Sequence, residues 1–253
     1  MPRYALKIEF DGTTFVGWQS QAVGLSVQQV IEAAAAPLNR GEAPTATAAG
    51  RTDAGVHAEA MVVDLMLAAD LPPERVREAI NARTNPHPVV ALAAARVADD
   101  WSARFACTGR AYRYRIMNRS ARPALEAGRL WHVKRRLDAD GMHAAAQGLL
   151  GRHDFSAFRA AACQAKSPLR TLDRLDVARI GEEVVVTAEA RSFLHHQVRN
   201  MVGTLVEVGM GRRGLDWPRR VLEGRDRTRA GQTAPPEGLV FVTARYDPEP
   251  DWT

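Results

Sequence analysis

One carboxylate stands out by its setting. In AGRTDAGVHA, Ala49–Ala58, Asp53 lies two residues after Arg51 and two before Gly55, with His57 beyond. Aspartate is a favoured turn residue, because its side chain can bond its own backbone two residues on. It is also a simple catalytic group: an ionised carboxylate suits a nucleophile or a base. If the backbone is extended up to Asp53, Arg51 and Asp53 point the same way. A neighbouring guanidinium holds a carboxylate in its charged form.

Two further stretches add candidates. GRAYRYRI, starting at Gly109, sets Tyr112, Tyr114 and Ile116 on one strand face and Arg113 and Arg115 on the other. Aromatic rings on a sheet face can stack a base, and the same pattern describes an ordinary core face backed by solvated arginines. In HHQVRN, starting at His195, Arg199 falls about 100° round a helix from Val198. From that flank it can reach solvent or pair with a partly buried acid. His195 and His196, at the helix start, suit a phosphate contact or a cap. The seven histidines show no H-E-x-x-H spacing, and no metal site is expected. GMGRRG, Gly209–Gly214, matches G-x-G-x-x-G, but a dinucleotide fingerprint follows a strand and opens a helix. This one follows a helix and opens a loop, and reads as a glycine stop with basic loop residues.

Composition narrows the class. Apolar residues make up 46 % of the 253 and charged residues 25 %, ordinary for a globular chain. No apolar run approaches the roughly 20 residues that span a bilayer, and MPRYALKIEFDG does not read as a signal peptide. Two cysteines, Cys107 and Cys163, suggest free thiols in a reducing cytoplasm. The net charge of +5 suits a polyanionic partner. Only three of the 34 basic residues are lysines; arginine favours phosphate forks and base stacking, though an Ala- and Arg-rich codon bias gives the same excess.

The elements that must hold these residues alternate. Residues 4–10 read as a strand at period two. A helix follows over 26–38, with Ser26 and Gln29 in a capping-box pattern. Strands are expected at 45–50, 60–68 and 88–97, with a helix over 72–83. That order, βαββαβ, is ferredoxin-like. The second half repeats it loosely: a strand over 110–118, an edge at 131–133, a helix over 138–150, a hairpin of 172–180 and 184–190, a helix over 194–208, and a last strand over 238–246. The expected class is α+β, with two ferredoxin-like domains, 1–104 carrying the Asp53 loop and 105–253.

The motifs AGRTDAGVHA, YRYRI and SFLHHQVRNMVG, with DGTTFVGWQ near the start, together resemble the tRNA pseudouridine synthase A family. The resemblance covers nearly the whole chain, in the family order, and GRTDAGVHA is highly specific. It implies the pseudouridine synthase fold, two ferredoxin-like halves joined through a largely antiparallel sheet. It implies an isomerase that converts uridines at tRNA positions 38, 39 and 40, in the anticodon stem-loop, to pseudouridine. It implies no metal or organic cofactor, no membrane partner, and a cytoplasmic homodimer whose basic clefts hold tRNA. The family's catalytic carboxylate, a nucleophile, falls on Asp53 and its motif arginine on Arg51. Its active-site tyrosine falls on Tyr112, with Tyr114 second. The arginine that pairs with the aspartate falls on Arg199, and an apolar residue beside the base on Leu239. Phe10 stands where the family commonly has tyrosine, and Leu194 is a mild variant.

The chemistry agrees. The N1–C1′ bond must break, the base turn, and C5 join C1′, with no redox change and no water consumed. A carboxylate can attack C1′ or assist loss of a 2′ proton, and the residues leave both routes open. Tyr112 can stack on the uracil. Extruding the target base costs a few kcal/mol, which phosphate contacts must offset; His195, His196, Arg212, Arg213 and the arginines of 110–119 are candidates. Two rivals remain. A metal-dependent nuclease would use Asp53, Glu59 and Asp64 as ligands, but Glu59 and Asp64 differ in strand parity. A plain RNA-binding module would carry an RNP1 run, which is absent.

Overall fold

Period-two burial builds the first strand, β1 (Arg3–Phe10), in which Tyr4, Leu6, Ile8 and Phe10 all face the core. The structure, a computed structural model, describes residues 1–253. The chain forms two compact units, Met1–Arg110 with Phe241–Thr253, and Ala111–Val240.

In the first unit, α1 (Val27–Ala35) starts at a full capping box: Ser26 Oγ accepts from Gln29 N–H, and Gln29 Oε1 accepts from Ser26 N–H at 2.9 Å. The helix tightens into a 3₁₀ turn at Ala36–Asn39, because Pro37 has no N–H to continue the ladder. The expected strand at 45–50 shrinks to β2 (Thr47–Ala48), since residues 49 and 50 bend away. Then come β3 (His57–Met66), α2 (Pro73–Thr84) and β4 (Val89–Val97). β1 pairs antiparallel with β3 and with β4, and β2 pairs antiparallel with β3. The order β4-β1-β3-β2 is that of a ferredoxin-like βαββαβ unit. α2 packs on β4 and on α1.

The second unit repeats the plan: β5 (Gly109–Met117, which begins in the first unit), β6 (Trp131–His132), α3 (Ala139–Gln147), β7 (Gly151–Asp154), β8 (Leu169–Ile180) and β9 (Glu183–Ala190). The strands run β5-β9-β8-β7, with antiparallel pairs β8–β9 and β7–β8; β6 lies parallel on β5. α4 (Gln197–Gly209) and α5 (Trp217–Gly224) follow. β10 (Leu239–Arg245) starts in the second unit, and from Phe241 onward it belongs to the first, beside β3.

Three expectations shift. α4 begins at residue 197 rather than 194, because His196 has φ +62°, a left-handed conformation no helix residue can take. α3 stops at Gln147 with Gly148 as its cap, short of 150. β7 and α5 were not expected: β7 has four residues, mostly polar, and α5 only two turns. The protein is α+β, as expected, and no helix is long and apolar enough to cross a membrane.

Asp64 shows how far the first unit's core tolerates charge. Its side chain is buried on β3, paired with Arg3, and accepts the Ala103 N–H at 2.8 Å. Burial pushes its carboxyl above the usual range, outweighing the Ala103 and Arg3 contacts that pull it down. The folded state therefore holds this proton more tightly than the unfolded chain. That contribution to stability is full at low pH and lost as pH rises through the folded pKa. Asp64→Asn should cost about 1–3 kcal/mol. Urea melts at about pH 4 and about pH 7 should show the gap to wild type narrowing at the higher pH.

Candidate active site

Asp53 sits between β2 and β3, where two backbone segments meet without side chains between them. Val56 N–H donates to Asp53 C=O at 3.2 Å and Gly55 has φ +77°, the geometry of a turn that demands glycine at its third residue. A backbone hydrogen bond closes this turn. On its outer side Asp53 forms an isolated antiparallel bridge with Gly17, and Trp18 N–H donates to Thr52 C=O at 3.1 Å. Gly17 has φ +107°, and a Cβ there would lie 2.6 Å from Thr52 O. Gly12 is tighter: a Cβ would lie 2.0 Å from Val56 O. Its N–H donates to His57 Nδ1 at 3.0 Å. Asp11 Oδ1 is 3.2 Å from the same nitrogen. Arg110 Nε donates to Ala49 C=O at 2.7 Å and steadies the loop's approach.

The carboxylate so held is half-buried. Arg51 is exposed. Asp64 is committed to Arg3 and Ala103, which leaves no cluster of three carboxylates for a nuclease metal. Phe10 is 2 % exposed and lies in the core.

The second unit carries the other expected residues. On β5, Tyr112 is 8 % exposed, its ring edge-on to Phe193 at 5.2 Å. Phe193, half-buried, went unnoticed in the sequence because it lies in an irregular stretch with no period. Tyr114 is fully buried, and its hydroxyl donates to Pro235 C=O at 2.7 Å. Burial pushes its phenol well above the usual range. Gly238 lies flat against its ring, where a Cβ would be 2.6 Å from Cε1. Tyr114 is thus a core residue, and a base has no face of it to stack on. Arg199, half-buried on α4, donates from Nε to Ala234 C=O at 2.8 Å. Arg199 and Tyr114 are fastened to adjacent carbonyls of one loop, and that loop leads to Leu239, which is 6 % exposed. His195 is exposed and His196 half-buried, their rings 4.1 Å apart.

The basic candidates sort by what already occupies them. Arg115 pairs with Glu183 at 2.8 Å and Glu126 at 2.9 Å, Arg119 with Glu182 at 2.6 Å, and Arg212 with Glu207 at 3.0 Å. Arg213 lies 5.0 Å over the Trp217 ring.

The glycine contact generates a prediction with an internal control. Gly17→Ala meets both a left-handed φ and a close backbone; Gly41, at φ +88°, has nothing within 4 Å of its Cβ position. Gly41→Ala should cost about 1 kcal/mol of stability from backbone strain alone and leave turnover unchanged. Gly17→Ala should cost more, about 2–3 kcal/mol, and lower kcat at least roughly tenfold by moving Asp53, since displacements of about 1 Å cost that much or more. Melts and steady-state kinetics on the pair test this.

Comparison with known proteins bears on the whole chain. Residues 7–106 and 145–247 match the family model described as tRNA pseudouridine synthase. The tRNA pseudouridine synthase A of Acidiphilium cryptum is 59 % identical over 251 residues, 99 % of this chain and 98 % of that protein. Those of Rhodospirillum centenum and a Methylobacterium species are each 56 % identical, covering 97 % and 99 % of this chain and 100 % and 99 % of theirs. With matches of that extent and identity, the chain belongs to the tRNA pseudouridine synthase family.

Proposed function

We propose that the protein isomerises uridines at tRNA positions 38, 39 and 40, in the anticodon arm, with Asp53 as the catalytic carboxylate. Isomerisation of tRNA uridine to pseudouridine is the activity of its family. The observation that carries the assignment to Asp53 is the backbone cradle: Gly12 and Gly17 admit no side chain, and the carboxylate they hold is half-buried. A cradle of that kind pre-sets a reacting group, which is what a rate-determining carboxylate needs. Attack on C1′ and assistance to 2′-proton loss both call for the ionised form. Tyr112 stacks on the extruded uracil, Leu239 packs beside it, and Arg199 is the arginine partner of the carboxylate. Arg51, exposed at the loop's surface, serves the substrate side, together with His195 and His196. The reaction balances with no cofactor: N1–C1′ is broken, C5–C1′ formed, the C5 proton leaves to water, and N1 takes up a proton. The protein works as a homodimer in the cytoplasm; two free, buried cysteines suit that reducing compartment.

The test is release of tritium to water from unmodified tRNA carrying C5-tritiated uridine, with a chelator present. Wild type should release it, and Asp53→Asn should be slower by on the order of 10⁴-fold or more, the scale of removing a nucleophile. No release by a folded wild type that binds tRNA overturns the reading. Mapping the product by position checks 38, 39 and 40.

Tyr112 separates stacking from proton transfer. Tyr112→Phe keeps the ring and should leave KM within about twofold, so any fall in kcat reports the hydroxyl. Tyr112→Ala removes the ring and should weaken tRNA binding by about 1–3 kcal/mol, the worth of one base–aromatic stack. Equal KM for the two variants would place the uracil elsewhere.

A further inference from the structure

We propose that the groove beside α5 is a second RNA-contact subsite, taking backbone phosphates of the substrate and an unpaired base. The choice of RNA rests on the tRNA reading above. The groove has a volume of about 790 Å³ and is lined by Arg213, Trp217, Arg220, Thr228, Arg229 and Glu207 among others. Three guanidinium groups face it against one carboxylate. That carboxylate, Glu207, is already paired with Arg212. Arg213 and Arg229 are exposed and make no ion pair, and Arg220 has only a long i,i+4 pair with Asp216 at 3.4 Å. Arg213 lies over Trp217, a ring that is itself half-buried in the wall. Unpaired guanidinium forks beside an aromatic face are the elements of a single-strand contact: forks take phosphates, and the ring takes a base regardless of its identity. An arginine held over the ring also adds to stacking.

The groove is wired to the site by one segment. Thr228–Gln232 forms a wall of the groove. Arg227 Nη1 donates to Gly231 C=O at 2.8 Å, and Gly231 N–H donates to Thr204 Oγ1 at 3.0 Å. Two residues on, Ala234 C=O accepts Arg199 and Pro235 C=O accepts Tyr114. Gly203 lies under this segment so closely that a Cβ would be 1.8 Å from Gln232 O. RNA seated in the groove therefore bears on the segment that fastens Arg199. The basic pair of GMGRRG splits between two tasks: Arg212 neutralises Glu207, and Arg213 faces the groove.

The experiment measures binding of an unmodified tRNA transcript as a function of salt, for wild type and the Arg213→Gln/Arg229→Gln double variant. Losing two phosphate contacts should weaken binding about tenfold near 0.1 M salt. The slope of log K against log salt should fall by about 1.5, at 0.7–0.9 per contact. The melting temperature should be unchanged. An unchanged affinity and slope overturns the subsite. So does a variant that loses inorganic phosphate while holding tRNA as before, because the groove is then a small-anion site. If wild type binds tRNA and releases no tritium, the catalytic reading falls, and the slope still decides the groove.

Discussion

The placing of Asp53 depends on one contact between two stretches of bare backbone, residues 11–18 and 52–57. Gly12 and Gly17 approach Val56 and Thr52 to distances at which any Cβ would collide. Hydrogen bonds from Gly12 N–H to His57 Nδ1 and from Trp18 N–H to Thr52 C=O then lock the register. Backbone against backbone has no rotamers to average over, so the carboxylate is carried by the stiffest support a loop can offer. Trp18, 2 % exposed, and Val56, 1 % exposed, sink the two stretches into the core. The hydrophobic burial holds the segments down, and the glycines set how close they come.

The second unit solves a similar problem with side chains. α4 is buried on nearly every side, and its polar residues spend their hydrogen bonds on irregular backbone. Asn200 donates to Phe158 C=O at 2.8 Å and accepts from Thr233 Oγ1 at 2.7 Å and Arg227 at 3.0 Å. Buried polar groups of this kind are costly unless satisfied, and once satisfied they specify one arrangement. The segment 227–235 has almost no regular structure of its own, yet it holds Arg199 and Tyr114 in place. Its order is borrowed from α4.

How much of this was legible depended on whether the cause was periodic. The core face of β1, the Ser26–Gln29 capping box and the hairpin of β8 and β9 follow from local pattern, and the structure has them within a few residues. The start of α4 did not follow, because His196 takes a left-handed conformation that tertiary packing imposes and no propensity announces. β2 was overlong in expectation because its pairing ends where the chain turns toward Asp53. Around the site, DGTTFVGW and GRTDAGVHA could be seen as motifs. That the glycines of one exist to admit the backbone of the other is a long-range fact. The distance between Gly12 and Val56 is not a property of either stretch.

Tyr112 and Tyr114 show the same boundary within one strand. Period two puts them on one face, and the sequence offers no ground for treating them differently. What separates them is distant in the chain. Gly238 presses its backbone against the Tyr114 ring, and Pro235 takes its hydroxyl, so that ring is spent on the core. Tyr112 meets the edge of Phe193, another ring. A strand face is thus divided by what packs on it: one ring lies against a glycine backbone, the other against the edge of a second ring. The same glycine lies one residue before Leu239, so the close approach that buries Tyr114 also fixes where β10 begins.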